Sequence, residues 1–252
     1  MNKKTRIIVA NWKMQLSYVA AVQFMQEHHA ELSQLARDHA SSVIVCPSFD
    51  ALSPIAQILK STPSIALGAQ DCSAHQSGAY TGQVLALSLR QIGCSYGIVG
   101  HSERRSQYHE TNEIIAQKAA RLLEHNITPI MCIGESREFE AGIAVHEVLT
   151  RQLAPLAYLM REHADKKIYI AYEPVWAIGS GIVPDAAYLT MVFNWIAEYC
   201  GRHLPTATLL YGGSVSASTL GTLSTIPAIE GFLVGGASVD FQKFKNIVSW
   251  CG

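Results

Sequence analysis

Short apolar runs alternate with longer stretches of helical periodicity along the chain. Eight runs of four to six residues are almost continuously apolar, which is typical of parallel strands covered on both faces. The predicted strands are Ile7–Ala10, Val43–Cys46, Ile65–Ala69, Tyr96–Val99, Thr128–Ile133, Ile168–Tyr172, Thr208–Tyr211 and Gly231–Val234. This alternation predicts a parallel α/β fold, and periodicity alone leaves a closed barrel and an open doubly wound sheet as alternatives.

The stretches between the strands carry helix signals. Ser17 is a predicted N-cap for a helix with a buried stripe of residues three or four apart. That stripe consists of Tyr18, Val22, Met25, His29, Leu32 and Ala36. Pro184 is expected in the first turn of a later helix, and Pro155 is expected to break or kink the helix predicted over Val145–Met160.

Two connections, Asp71–Gln83 and Pro174–Val183, are longer than the usual βα loop of two to about six residues. Long ordered loops in compact domains are commonly functional or interfacial. We therefore expect both segments to have a role in activity or assembly.

Composition narrows the class of protein. The chain has 252 residues, 49% of them hydrophobic and 15% charged, and an α/β barrel typically needs roughly 250 residues. The net charge of −1 with scattered basic residues gives no case for nucleic acid or a membrane surface as a partner. Ile7–Ala10 is too short for a membrane span or a signal-peptide core, so it is expected to be the first strand.

The six cysteines form no CxxC pair and show no metal-ligand spacing. We expect free thiols, a cytoplasmic location and no metal site.

Polar residues follow several predicted strands at their carboxyl ends. They are Asn11 and Lys13, His101 to Glu103, Glu173, Gly212 to Ser214, and Gly235 with Gly236. Because these ends meet on one face of a parallel sheet, the five segments are expected to build one cleft.

Glu173 lies at the edge of an apolar strand, directly before the lid-like segment Pro174–Val183. A strand-end glutamate is usually solvated or salt-bridged, but a lid that removes water would favour a general base. His101 precedes a helix expected to begin at Ser102, whose positive end opposes imidazolium. We therefore predict a neutral ring that donates a hydrogen bond.

Lysine is rarely buried without a partner. Lys13 is therefore expected either to anchor an anion or to extend its ammonium group to solvent from the rim of the sheet. Glu103 is either its ion-pair partner or simply an acid in a first helical turn. The glycine pairs after the last two strands are typical of backbone nests that bind phosphate in barrels.

Long motifs resemble the triosephosphate isomerase family. They are Asn-Trp-Lys-Met at 11–14, Val-Gly-His-Ser-Glu-Arg-Arg at 99–105, Ala-Tyr-Glu-Pro-Val-Trp-Ala-Ile-Gly-Ser-Gly at 171–181, Tyr-Gly-Gly-Ser-Val at 211–215 and Leu-Val-Gly-Gly-Ala-Ser at 233–238. Their order and spacing cover essentially the whole chain. The resemblance implies a single (β/α)8 TIM barrel domain over residues 1–252 rather than an open sheet.

The resemblance also implies an activity, the interconversion of dihydroxyacetone phosphate and D-glyceraldehyde 3-phosphate through an enediolate. Glu173 would be the base and His101 the electrophile, while Lys13 and Asn11 would stabilise the enediolate with support from Glu103. The phosphate would bind backbone N–H groups at Gly179, Ser214, Gly235 and Gly236. No cofactor or metal is expected, because the substrate carbonyl already acidifies the adjacent C–H bond.

By the same resemblance, the enzyme would be a glycolytic and gluconeogenic homodimer in the cytoplasm. Its Asp71–Gln83 loop would dock beside Asn11 and Lys13 of the partner subunit. Three positions depart from the family pattern: Ser180 and Ile182 in the lid, and Gln83, which would remove an ion pair to Arg104.

Two other functions fit some of these features. Another phosphate-binding barrel isomerase would explain the glycines but not Asn11, Lys13, His101 and Glu173 together. A barrel that has lost catalysis would explain the fold but not an intact catalytic set.

Overall fold

The computed structural model describes residues 6–136, 144–177 and 183–250. Its strands are β1 (Arg6–Asn11), β2 (Ser41–Cys46), β3 (Ile65–Ala69), β4 (Tyr96–Val99), β5 (Thr128–Ile133), β6 (Ile168–Tyr172), β7 (Ala207–Tyr211) and β8 (Gly231–Val234). Its α-helices are α1 (Tyr18–Asp38), α2 (Leu52–Leu59), α3 (Ala86–Ile92), α4 (Ser102–Gln107), α5 (Asn112–Glu124), α6 (Val145–Leu159), α7 (Ala186–His203), α8 (Ala217–Leu223) and α9 (Phe241–Trp250).

The strands form a closed parallel barrel. Each strand pairs with the next along the chain, and β1 also pairs with β8. Ile8, for example, lies opposite Val43 on one side and Phe232 on the other. This closure confirms the barrel and excludes the open sheet.

The barrel has two buried layers because strand side chains alternate between its two faces. Alternate strand positions form a cluster of their own, which includes Val9, Ile44, Ile98, Ile130 and Leu210. The intervening positions, such as Ile8 and Val43, pack with helix residues in the larger cluster. Because these side chains fill the barrel interior, a binding site on the barrel is expected at the ends of its strands.

The predicted strands are all present, and their bounds agree to within two residues. The largest difference is in β2, which begins at Ser41 rather than Val43. Ser41 pairs with Arg6 and Ser42 with Ile7, so polar residues extend both strands at the amino-terminal end of the barrel. Apolar periodicity alone could not find this extension.

The helix predictions are confirmed in part. The Ser17 side chain accepts a hydrogen bond from the N–H of Ala20 and caps α1. Tyr18, however, is exposed, so the buried stripe of α1 begins later than predicted. Pro184 lies outside the first turn of α7, because the helix begins at Ala186 and its N-cap is Asp185. Across the described ranges, the structure contains no helix with the length and apolar character needed to cross a membrane.

Pro155 was expected to break or kink its helix, and it does not break it, because α6 continues through it to Leu159. A proline cannot donate to the carbonyl four residues earlier, here that of Arg151. Asn112 Nδ2 donates to that carbonyl instead, at 3.1 Å. A side chain at the start of α5 therefore replaces the missing helical hydrogen bond.

Candidate active site

A pocket of about 430 Å³ lies at the carboxyl ends of the strands. It is lined by residues that follow β1, β4, β6, β7 and β8, as the sequence predicted. Among them are Asn11, Lys13, His101, Glu173, Ser214, Gly235 and Gly236. Glu103 borders a neighbouring pocket and contacts this one through Lys13. Gly179 lies outside the described residues.

Glu173 directly follows β6 and is almost fully buried. Its Oε1 lies 3.2 Å from His101 Nε2, and its Oε2 accepts the N–H of Ser102 at 3.3 Å. Burial alone would raise the pKa of Glu173, but the imidazole, the Ser102 N–H and the positive charge of Lys13 together lower it below its ordinary value. Specific hydrogen-bond donors therefore hold the carboxylate in its ionised form. Contact with an apolar lid would have the opposite effect, because desolvation raises the pKa of a carboxyl group.

His101 is the N-cap of α4, as its position before Ser102 predicted. Its Nδ1 accepts the N–H of Glu103 at 3.2 Å, so the proton of a neutral ring is on Nε2. Burial lowers the pKa of His101, but the Glu173 carboxylate, with a smaller contribution from Glu103, raises it above its ordinary value. The position of His101 before a helix predicts only the lowering effect of the helix terminus, and the opposing contact with Glu173 is visible only in the folded chain.

Lys13 is half-buried, and its Nζ lies 2.6 Å from Oε1 of Glu103. This confirms the ion pair that the sequence left as one of two alternatives. The backbone of Lys13 has φ of 51°, and its N–H donates to Asn11 Oδ1 at 3.1 Å. An ion pair and a backbone hydrogen bond thus fix the ammonium group at the edge of the pocket.

The glycine segments allow a close approach of backbone and side chains. A Cβ at Gly212 would lie 2.7 Å from Cγ of Glu173, so a larger residue would displace the carboxylate. A Cβ at Gly235 would lie 3.5 Å from Cε of Lys13. The backbone after β8 and the lysine ammonium therefore border the same space, which suits an anion.

Glu135, which follows β5, was missed by the sequence analysis. It is buried, and its Oε1 accepts hydrogen bonds from Tyr172 Oη at 3.0 Å, Trp176 Nε1 at 2.8 Å and Tyr188 Oη at 2.9 Å. These donors come from β6, from a 3-10 helix over Val175–Ala177, and from α7. The same strand-end position that identified the other candidates could have found it.

A second missed group joins the segment after β3 to α4, to the connection between α4 and α5, and to α5. Two carboxylates bridge Arg104 and Lys118. Asp71 Oδ2 lies 2.9 Å from Arg104 Nη2, and Asp71 Oδ1 lies 2.7 Å from Lys118 Nζ. Oε1 of Glu110 forms ion pairs with both cations. Burial is the largest influence on Asp71 and raises its pKa, although Lys118 opposes it. Arg104 is thus neutralised within its own chain, whatever residue stands at position 83.

The predicted lid over Pro174–Val183 is described only in part. Val175–Ala177 forms the short 3-10 helix, and Ser214 Oγ donates to the carbonyl of Ala177 at 3.1 Å. Ser180 and Ile182 lie, like Gly179, outside the described residues. In the ranges that the structure covers, no group of three or more His, Cys, Asp or Glu side chains is arranged to hold a metal ion.

Comparison with known proteins agrees with this geometry. The sequence model of the family described as triosephosphate isomerase matches residues 6–251. The triosephosphate isomerase of Corynebacterium diphtheriae is 38% identical over 252 residues, covering 98% of this chain and 96% of the relative. That of Cutibacterium acnes is also 38% identical and covers 98% of both chains. That of Mycobacterium tuberculosis is 38% identical and covers 96% of this chain and 95% of the relative. The chain therefore belongs to the triosephosphate isomerase family.

Proposed function

We propose that this chain interconverts dihydroxyacetone phosphate and D-glyceraldehyde 3-phosphate, moving a proton between adjacent carbons through an enediolate. The observation that carries the proposal is the buried Glu173 carboxylate, 3.2 Å from His101, at a pocket that also contains Lys13 and two glycine segments. A base, a hydrogen-bond donor and an anion site are the parts that this reaction needs.

Glu173 is the proposed base. In the present geometry both its oxygens accept hydrogen bonds, which lowers the pKa of the carboxyl and weakens it as a base. To remove a carbon-bound proton, the carboxylate must turn away from the Ser102 N–H toward the pocket. Loss of that donor in a dry site raises the basicity of the carboxylate at the moment when it is needed.

His101 is the proposed electrophile. Its Nδ1 is occupied by the Glu103 N–H, so Nε2 is the nitrogen that can donate to a substrate oxygen. When Glu173 turns toward the substrate, the ring loses the larger of the two carboxylate interactions that raise its pKa, the smaller being that with Glu103. The buried position and the helix amino terminus then both favour a neutral ring.

Lys13, with Asn11 and Glu103, is proposed to stabilise the negative charge of substrate and enediolate. The ion pair to Glu103 supports this, since it holds the ammonium group at the pocket, and the hydrogen bond from the Lys13 backbone N–H to Asn11 holds the turn that carries it. The phosphate is proposed to bind near Ser214, Gly235 and Gly236, which line the same pocket. By family resemblance, Gly179 of the lid completes that site.

We further propose a single-domain chain that works as a cytoplasmic homodimer in glycolysis and gluconeogenesis. A second pocket of about 240 Å³ is lined by Asn11, Lys13 and the fully exposed side chain of Met14, beside Gln70 and Asp71. In the Asp71–Gln83 loop, Tyr80 is exposed and stacks on His75 with ring centroids 3.7 Å apart. An aromatic tip held in place by stacking is suited to insertion into such a pocket of the partner subunit.

A coupled assay for glyceraldehyde 3-phosphate formation from dihydroxyacetone phosphate tests the activity. We expect turnover that is lost in a Glu173 variant purified in parallel. Absence of turnover in the correctly folded chain would favour a barrel that binds without catalysis. Cell fractionation would test the cytoplasmic location.

A further inference from the structure

Lys13 has an unusual backbone conformation for a residue with a long side chain. Its φ of 51° lies in the left-handed region, where residues other than glycine are uncommon and strained. Such a conformation persists only when the surroundings hold it. The contacts that hold the Lys13 backbone therefore also set the point from which its side chain extends toward the pocket.

The carbonyl of Lys13 is held by Gln70, the residue that follows β3. Gln70 Nε2 donates to the Lys13 carbonyl at 2.8 Å and to the Cys46 carbonyl, at the end of β2, at 3.0 Å. A primary amide has two N–H donors, and Gln70 directs both at backbone carbonyls. Its side chain thus connects the ends of β2 and β3 to the strained turn after β1.

Gln70 does not line the pocket that contains Glu173 and the glycine segments, whereas Lys13 does. It lines the neighbouring pocket, which Lys13 also borders. An effect of Gln70 on the proposed substrate site is therefore indirect, and its shortest route is the hydrogen bond to the Lys13 carbonyl.

We propose that Gln70 is a positioning residue for phosphate recognition, which holds the left-handed Lys13 backbone so that the ammonium group stays beside Gly235. The proposal rests on the proposed function, in which Lys13 binds the negative charge of the substrate. Leucine or methionine at position 70 would fill the same space but supply no donor. Glutamate would keep the shape and turn two donors into acceptors that face two carbonyls.

Inorganic phosphate is a suitable probe because its binding, followed by NMR titration of the full chain, needs no turnover. Loss of one hydrogen bond is worth up to roughly a factor of ten in an equilibrium constant. We expect Gln70→Met to weaken phosphate binding by about that factor, and Gln70→Glu, which tests the donors at constant shape, to weaken it at least as much. Sedimentation and circular dichroism would identify conditions in which each variant is folded and has the same oligomeric state as the parent.

A double-variant cycle tells positioning from a general structural effect. If Gln70 acts through Lys13, Gln70→Met should change phosphate affinity by less than about twofold in a Lys13→Met background, because the two effects are coupled. An undiminished further loss there would overturn the proposal, and so would a loss that appears only where Gln70→Met dissociates the chain. A phosphate affinity unaffected by Gln70→Met but lowered by Lys13→Met would overturn this inference and leave the proposed function standing. Affinity unaffected by Lys13→Met would overturn the assignment of Lys13 as well.

Discussion

His101 Nε2 lies 3.2 Å from Glu173 Oε1, so the two groups that face the pocket contact each other directly. Each shifts the pKa of the other: the carboxylate raises that of the ring, and the ring lowers that of the carboxyl. The pair therefore favours an ionised Glu173, and its effect on both groups ends when the carboxylate turns toward a substrate.

Replacement of the base tests the assignment of Glu173. Glu173→Gln preserves the shape of the side chain and removes its basicity, and a general base typically contributes about 10²–10⁴-fold to turnover. We expect a loss of that size in kcat, measured in the coupled assay. Mass spectrometry should exclude deamidation to glutamate, after which near-parental turnover would contradict the assignment.

The same substitution should change the titration of His101. In the parent chain the carboxylate raises the pKa of His101 above its ordinary value, against the effect of burial. In Glu173→Gln this contribution is lost, while burial and the charge of Lys13 still lower the pKa and only the smaller effect of Glu103 still raises it, so the pKa should fall. NMR titration of the labelled ring in both proteins measures this, and equal pKa values would show that the contact has no electrostatic effect.

A backbone substitution tests the hydrogen bond that holds Glu173. Ser102 is the first residue of α4, where proline is tolerated, and His101 before it has ψ of 145°, which suits a residue that precedes proline. Ser102→Pro removes the N–H that contacts Oε2, so the pKa of Glu173 should rise. Because the base acts when deprotonated, the acid limb of the kcat/KM profile should move to higher pH. Ser102→Ala retains the N–H and is the matched control, and a profile in the proline variant that coincides with it would contradict the prediction.

The barrel could be predicted from sequence because its strands are short, apolar and regularly spaced. The strand-end rule placed His101 and Glu173 on one face, but it could not predict their direct contact. They follow β4 and β6, which are separated by β5, so the distance between them depends on barrel tilt and on side-chain direction. The lowered pKa of Glu173 was missed for the same reason.

Contacts made by backbone groups were also beyond the sequence pattern. Pro155 gave a strong helix-breaking signal, yet Asn112, distant in sequence, satisfies the carbonyl that the proline leaves free. Gln70 likewise has an unremarkable position after β3, and its importance depends on the left-handed turn at Lys13. Local signals predict the elements, while tertiary hydrogen bonds decide which local rules are overridden.

The buried charge cluster gives a prediction about stability. Lys118 lies between Asp71 and Glu110, and its ammonium group is almost completely buried. Lys118→Met leaves two buried carboxylates with only Arg104 to compensate them, and breaking a buried ion pair typically costs about 3–5 kcal/mol. Urea denaturation should show a loss of that size in the free energy of unfolding. Arg202→Met, which breaks the exposed Arg202–Glu198 pair on α7, is the control and should cost about 0–1 kcal/mol. Similar losses in the two variants would contradict the prediction.

The last prediction concerns assembly through the Asp71–Gln83 loop. Tyr80 is 44% exposed although its ring stacks on His75 at an interplanar angle of 2°, so the loop presents an ordered aromatic side chain to solvent. If that ring inserts beside the partner's Lys13, Tyr80→Ala should produce monomers and reduce turnover together, since the site of each chain would lose its cover.

Gln83→Glu should leave the dimer nearly unchanged, because Arg104 already has two carboxylate partners in its own chain and a partly exposed pair adds only about 0–1 kcal/mol. Sedimentation equilibrium and the coupled assay, run at the same protein concentrations, measure both effects. Tyr158→Ala removes another exposed tyrosine, on α6, and should change neither. A parent chain that sediments as a monomer at micromolar concentration and still turns over substrate rapidly would contradict the need for a dimer.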